Sequence, residues 1–350
     1  MIENFEVIKI FILAILSFVI AILFTPILTH FLYKYNLGKR IRESEVAPIY
    51  SKLHKKKEGT PTMGGIIVWF TVLMLSLIFF YLPKISTFQF LENFNFLTRG
   101  ETLLPLGALI STAIIGLIDD LFGVKGIGVH GGGLSVKIKL IIYTLIACFG
   151  AYWFYFKLDW DLIHIPFLGS FEIGIWYIPI FIFIIAATSF SVNETDGLDG
   201  LAGGVLLTSF ASYGAIAFLQ GKYELAAFCG VIIGALTAFL WFNINPARFI
   251  MGDTGSMSLG ITLGIVAMLT NTALLLPIIG FVFVGESISV ILQTISKKLF
   301  KGKKIFHSTP IHHHFEAIGW SEPKIVMRFW LISGFTSVIG LIIFLLDKVW

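Results

Sequence analysis

Apolar runs long enough to cross a membrane recur from one end of the chain to the other, beginning with "FILAILSFVIAILFTPIL" at residues 11–28. A helix needs about 20 mainly apolar residues to span roughly 30 Å of hydrocarbon. The composition agrees: 57% of the residues are hydrophobic and 13% charged, against about 45–50% and 25% in soluble domains. The expected fold is therefore all-α, a polytopic integral membrane protein.

Hydropathy places ten spans near residues 8–32, 63–82, 102–121, 136–156, 174–192, 200–219, 224–242, 255–270, 273–296 and 327–346. The eighth and ninth are separated only by a short polar interruption, and Pro277 is positioned to kink the ninth. Merged, they would make nine. Glu3 and Glu6 precede the first run, which lacks a small-residue cleavage site, so it reads as a retained span rather than a signal peptide. Cys148 and Cys229, far apart inside apolar runs, read as small buried hydrophobes.

Ten spans put both termini on one side. In that arrangement 19 of the 25 Lys and Arg residues fall on the opposite face, in the loops after the first, third, seventh and ninth spans. Basic loops stay in the cytoplasm, so the termini are expected outside. Tyr33, Tyr35, Tyr81, Trp153, Trp160 and Trp241 lie near span ends, as interfacial belts require.

The unusual polar clusters all fall on the basic face: "TPTMGG" (60–65), "GLIDD" (116–120), "NETDGLDG" (193–200), "NINPARFIMGDTGS" (243–256) and "TPIHHHFE" (309–316). One site is the economical reading, with loops 33–62, 119–135, 193–200, 243–256 and 297–326 of a single transmembrane domain, residues 1–350, contributing to it. Asp119 and Asp120 by themselves suit a solvated helix end, but adjacent carboxylates repel, and a divalent cation relieves such crowding. Asp196 and Asp199 would share one face if their segment were helical, and Asp199 alone would suit a helix N-cap. Asp253, between two glycines before the eighth span, combines capping geometry with the anion-attracting start of a helix. Lys57, Lys137 and Lys139 would draw in an anionic substrate. Mg2+ suits carboxylate and phosphate oxygens, whereas Zn2+ prefers His and Cys. The consecutive His312, His313 and His314 do not converge on one ion from a regular helix.

Taken in order, "KEGTPTMGG", "GLIDD", "NETDGLDG", "NINPARFIMGDTGS", "ESISVILQ" and "TPIHHHFEAIGWSEPKIVMRFW" resemble the phospho-N-acetylmuramoyl-pentapeptide transferase family over most of residues 50–335. The resemblance implies Mg2+-dependent transfer of the phospho-sugar peptide from UDP-N-acetylmuramoyl-pentapeptide to undecaprenyl phosphate, with release of UMP. It implies a bacterial inner-membrane protein with its active site on the cytoplasmic face, a homodimeric assembly and no nucleic-acid partner. Carried onto these residues, Asp253 ligates the metal. Asp119 and Asp120 form the catalytic pair, and Asn193, Asp196 and Asp199 line the nucleotide pocket with Lys57, Thr62, Asn243, Gln293 and His313. His312 and His314 follow by motif membership.

Three positions depart from the family pattern. Glu194 replaces an apolar residue, Gly123 stands where a lysine is common, with Lys125 as its expected substitute, and Ile250 replaces a phenylalanine that could stack on uracil. Two other readings remain: a related transferase using UDP-N-acetylglucosamine, and a secondary transporter, whose acids would lie near mid-span.

Overall fold

The computed structural model describes residues 2–38, 57–85, 89–128 and 132–349. Lys39, Arg40, Arg42, Lys52, Lys55 and Lys56 of the first basic loop lie outside the described residues.

Helices dominate, as the runs of apolar residues require. In chain order they are α1 (Ile2–Lys34), α2 (Ile66–Ile85), α3 (Leu103–Lys125), α4 (Val136–Lys157), α5 (Tyr177–Thr195), α6 (Leu201–Leu219), α7 (Tyr223–Asn243), α8 (Asp253–Leu269), α9 (Leu276–Ile279), α10 (Phe281–Leu299), α11 (Ile311–Ala317) and α12 (Glu322–Val349). A small antiparallel hairpin, β1 (Leu162–Ile165) and β2 (Gly169–Glu172), follows α4.

Among the described residues, eight helices are long and apolar enough to cross a membrane, and the bent α9–α10 region brings the number to nine. The expected eighth span is the exception. Helix α8 has 17 residues, and every residue from Thr254 to Leu269 is buried. It packs chiefly against α3 and α5 and is a central post enclosed by protein. The expected ninth span is broken rather than kinked at Pro277. Its two parts bend by 83° around Gly280, and Pro277 sits in the first turn of the short α9, where a proline is tolerated. Cys229 is buried as expected, whereas Cys148 is exposed on α4.

Two glycines set the geometry around the base of α8. At Gly116 of α3, a Cβ would collide with the backbone of Asp253 and Thr254, so only glycine lets α3 touch the start of α8. Gly252 has φ +73° and a Cβ there would meet the Asp120 carboxylate and Thr62 Oγ1. Both the backbone conformation and the contact therefore demand glycine.

The ends of α1, α3, α5 and α7 and the starts of α2, α4, α6, α8 and α12 gather at one end of the bundle. The opposite end holds the hairpin, where His164 Nε2 lies 2.5 Å from Asp347 Oδ2 of α12 and Lys348 Nζ donates to Leu219 O at 2.6 Å. Gly116→Leu is expected to wedge α3 from α8 and cost about 1–3 kcal/mol of stability. Thermal unfolding in detergent would measure it, and an unchanged midpoint would refute the tight contact.

Candidate active site

One lysine joins two carboxylates brought from separate helices. Lys139 Nζ lies 2.8 Å from Asp119 Oδ2 and 2.5 Å from Asp253 Oδ2. Asp119, near the end of α3, is 2% exposed, and Lys139 rises from the first turn of α4. Asp253 opens α8. Its second oxygen, Oδ1, accepts from Asn193 Nδ2 at 2.5 Å, and the same amide reaches Ser256 Oγ at 2.9 Å. Asp119 Oδ1 accepts the backbone N–H of Leu134. Gly133, with φ +88°, brings that backbone against the carboxylate. Lys125 is exposed at the end of α3, so Lys139 rather than Lys125 supplies the positive charge between the acids. Lys137, two residues earlier on α4, is exposed.

Asp120 turns from this centre to the start of α8. Its Oδ1 accepts from Asp253 N at 3.1 Å and its Oδ2 from Thr254 N at 3.0 Å. Two amides that a helix N-terminus leaves without intrahelical partners are thus satisfied from another helix. A carboxylate at that end is also favoured by the helix dipole. The anion-attracting terminus expected beside Asp253 already has its anion.

The "TPTMGG" loop is stitched to the segment before α8. Ile250 N donates to Pro61 O, Gly64 N to Ile250 O and Gly65 N to Met251 O, each at 2.8 Å. Thr62 is buried and its Oγ1 reaches Asp120 Oδ1 at 3.3 Å. Asp196 holds the same segment from the other side, accepting Gly252 N at 3.0 Å.

Helix α5 ends at Thr195, and Gly200 takes φ +80°. The stretch from Asp196 to Gly200 is therefore a turn, and Asp196 and Asp199 face different partners instead of one helical face. Asp199 Oδ1 pairs with Lys57 Nζ at 2.6 Å. Its Oδ2 accepts from Asn245 Nδ2 at 3.0 Å and from Ala247 N at 3.1 Å. Glu322, at the start of α12, completes the group: it pairs with Lys57, accepts Asp199 N at 2.7 Å and takes a bond from Asn245 at 3.2 Å. Sequence reasoning missed Glu322. Its place in "WSEPK", just before a span, carried no signal beyond a helix start.

Asn243 is buried and its amide is engaged at both ends, accepting Gly200 N at 2.9 Å and donating to Phe249 O at 2.8 Å. Gln293 does the same for the loop after α10, donating to Phe306 O at 2.9 Å and accepting Ile305 N and Phe306 N. Both hold loops that border the site. In α11, His312 Nδ1 lies 2.9 Å from Glu286 Oε2 and both side chains are fully buried. Its ring sits against Gly197. His313 Nδ1 pairs with Glu316 Oε2 at 2.6 Å. His314 stacks on His307 with ring centres 5.3 Å apart. Partial burial and that neighbour hold its imidazole below the usual histidine pKa. The three histidines have three different surroundings, as expected of consecutive residues on one helix.

Among the described residues no group of three or more His, Cys, Asp or Glu side chains is arranged to hold a metal. Two carboxylates sharing one cation is what the centre offers. That donor set suits Mg2+, which takes one or two carboxylates and completes its shell with water and substrate phosphate.

Residues 102–271 match the glycosyl transferase family 4 profile. A phospho-N-acetylmuramoyl-pentapeptide-transferase of Chloroflexus aggregans is 40% identical over 341 residues, covering 94% of this chain and 88% of its own. Enzymes of the same name from a Geobacillus species, at 38% identity over 331 residues, and from Clostridium perfringens, at 40% over 326, cover 94% and 93% of this chain and 96% and 94% of their own.

Asp120→Ala removes the partner of two helix-start amides and is expected to cost about 0.5–2 kcal/mol. Chemical or thermal unfolding would read the loss, and wild-type stability would reject the capping role.

Proposed function

The chain belongs to the phospho-N-acetylmuramoyl-pentapeptide transferases, and from that membership we propose that it transfers phospho-N-acetylmuramoyl-pentapeptide from its UDP carrier to undecaprenyl phosphate. The product is the first lipid intermediate of peptidoglycan, and UMP leaves. The observation that carries the assignment to this site is the convergence of Asp119, Lys139 and Asp253, from three helices, at one end of a membrane bundle.

The placement matches what the reaction needs. A nucleotide arrives from water while a polyprenyl tail stays in lipid, so the reacting phosphates meet at the boundary. We place that boundary at the inner face of the bacterial cytoplasmic membrane, because the basic loops lie at the same end as the carboxylates. Phosphoryl transfer depends mainly on in-line positioning and neutralisation of charge. Asp253 and Asp119 would hold Mg2+, with Asn193 orienting the Asp253 carboxylate through its 2.5 Å bond. When bound, Mg2+ supplies charge neutralisation on the diphosphate oxygens.

Lys139 keeps the two acids together and adds a positive charge toward the arriving phosphates. Asp120 fixes the start of α8 and thereby the direction of Asp253. Lys57, Asp199, Glu322 and Asn245 lock together the loops that form the nucleotide side, while Asn243 and Gln293 brace those loops from behind. His313 borders the same side. A second protomer is proposed on family grounds.

Asp253→Ala and Asp119→Ala are each expected to abolish Mg2+-dependent UMP release from UDP-N-acetylmuramoyl-pentapeptide and undecaprenyl phosphate while expression persists. Full activity in either variant rejects its role, and equal turnover of UDP-N-acetylglucosamine rejects the substrate assignment. Lys139→Met leaves the carboxylates without their shared cation. Mg2+ is then expected to raise the melting midpoint more in this variant than in the wild type, and an absent response would reject the metal assignment.

A further inference from the structure

A cavity of about 330 Å³ opens between α1 and α7, apart from the carboxylate centre. Thr25, Thr29, His30 and Tyr33 of α1 line one wall, and Phe242 and Arg248 line the other. Its size is at the lower end for small-molecule sites. No carboxylate lines it.

Two basic side chains, His30 and Arg248, are set in a wall that is otherwise apolar or hydroxyl-bearing. The Arg248 guanidinium rests over the Phe242 ring, 5.4 Å from its centre, and makes no ion pair with any described acid. Tyr33 donates its hydroxyl to Arg248 O at 2.9 Å, which ties the end of α1 to the segment leading to α8. His30 and Arg248 are both exposed. Arg presents a planar donor fork that matches phosphate geometry.

Its depth says which phosphate. Tyr33, which lines it, is 55% exposed, and Tyr35 and Trp241, one or two residues along the chain from its lining, are 62% and 73% exposed; exposed Tyr and Trp mark the headgroup layer of a bilayer. Helix α1 is largely unburied along its length, leaving its flank to lipid. A cationic pocket opening sideways at headgroup depth faces lipid phosphates before it faces solutes.

We propose that this cavity binds the phosphate headgroup of an anionic glycerophospholipid from the leaflet on the carboxylate side of the bundle. The bound headgroup pairs with Arg248 and His30 at the root of a segment that does much of the site's positioning. Arg248 N donates to Phe242 O at 2.9 Å, the next residue toward the N-terminus, Ala247, donates to Asp199, and Ile250 pairs with Pro61. Ordering Arg248 therefore stiffens the irregular stretch that ends at Gly252 and Asp253.

The test is binding, read without turnover, so it stands or falls separately from the transferase reading. Purified full-length protein in neutral detergent is titrated with phosphatidylglycerol, phosphatidylcholine, undecaprenyl phosphate or inorganic phosphate, and retention is followed by native mass spectrometry alongside the melting midpoint. Phosphatidylglycerol is expected to be retained and to raise the midpoint, with phosphatidylcholine weaker. Arg248→Gln is expected to weaken phosphatidylglycerol roughly tenfold, the loss of one charge-assisted contact. His30→Gln gives a second, smaller reduction and serves if Arg248→Gln fails to fold. Wild-type retention in the folded variants overturns the proposal. So does equal binding of phosphatidylcholine, equal protection by inorganic phosphate alone, or displacement of phosphatidylglycerol by undecaprenyl phosphate, which would make the cavity the carrier's own site.

Discussion

The ammonium of Lys139 between Asp119 and Asp253 is the interaction on which the site end of this bundle depends. Two carboxylates withdrawn from water cannot approach each other without a cation, because both desolvation and mutual repulsion oppose their charge. With Lys139 between them they can, and three helices are drawn to one point. The remaining partners follow from that junction. Asn193 holds the free oxygen of Asp253, Leu134 holds that of Asp119, and Asp120 anchors the amides at the start of α8. A divalent ion would enter a place already arranged for positive charge.

The bilayer explains why these groups sit where they do. Acids cost several kcal/mol near the centre of a membrane and far less at its boundary, so the chain collects them where helices end. The second network, around Lys57, Asp199 and Glu322, sits in the same layer and joins loops that are separated by most of the chain. One cluster grips by charge where α3, α4 and α8 meet, and the other fixes the loops beside it. The segment from Asn245 to Gly252 runs from the second network to the first, and helix α8, buried from Thr254 to Leu269, gives that segment a fixed end.

Much of the fold could be read directly from the chain. The long apolar runs marked the helices, and the polar motifs on one face marked the end of the bundle that carries the candidate site. Where the reading differed, context decided. The run at 255–270 forms a 17-residue helix buried among its neighbours, a surrounding that the chain did not reveal, since hydropathy cannot separate contact with lipid from contact with protein. The turn at 196–200 looked compatible with a helix, yet the helix before it stops at Thr195 and Gly200, at φ +80°, leads into the next one. Lys125 looked like the natural cation beside the acidic pair, because it is near in sequence. Lys139 takes that place through the chain reversal between α3 and α4.

Hydropathy is a property of consecutive residues, so the sequence by itself determined a helical membrane protein, its approximate spans and the identity of the polar motifs. Pairing is a property of distance through space. Only the tertiary structure decided that Asp119 and Asp253 share Lys139, that Asp120 caps α8 and that Glu322 joins Lys57 and Asp199. Those contacts depend on helices touching where Gly116 and Gly252 leave room, and side chains tens of residues apart reach charge-pairing range only after the helices have packed.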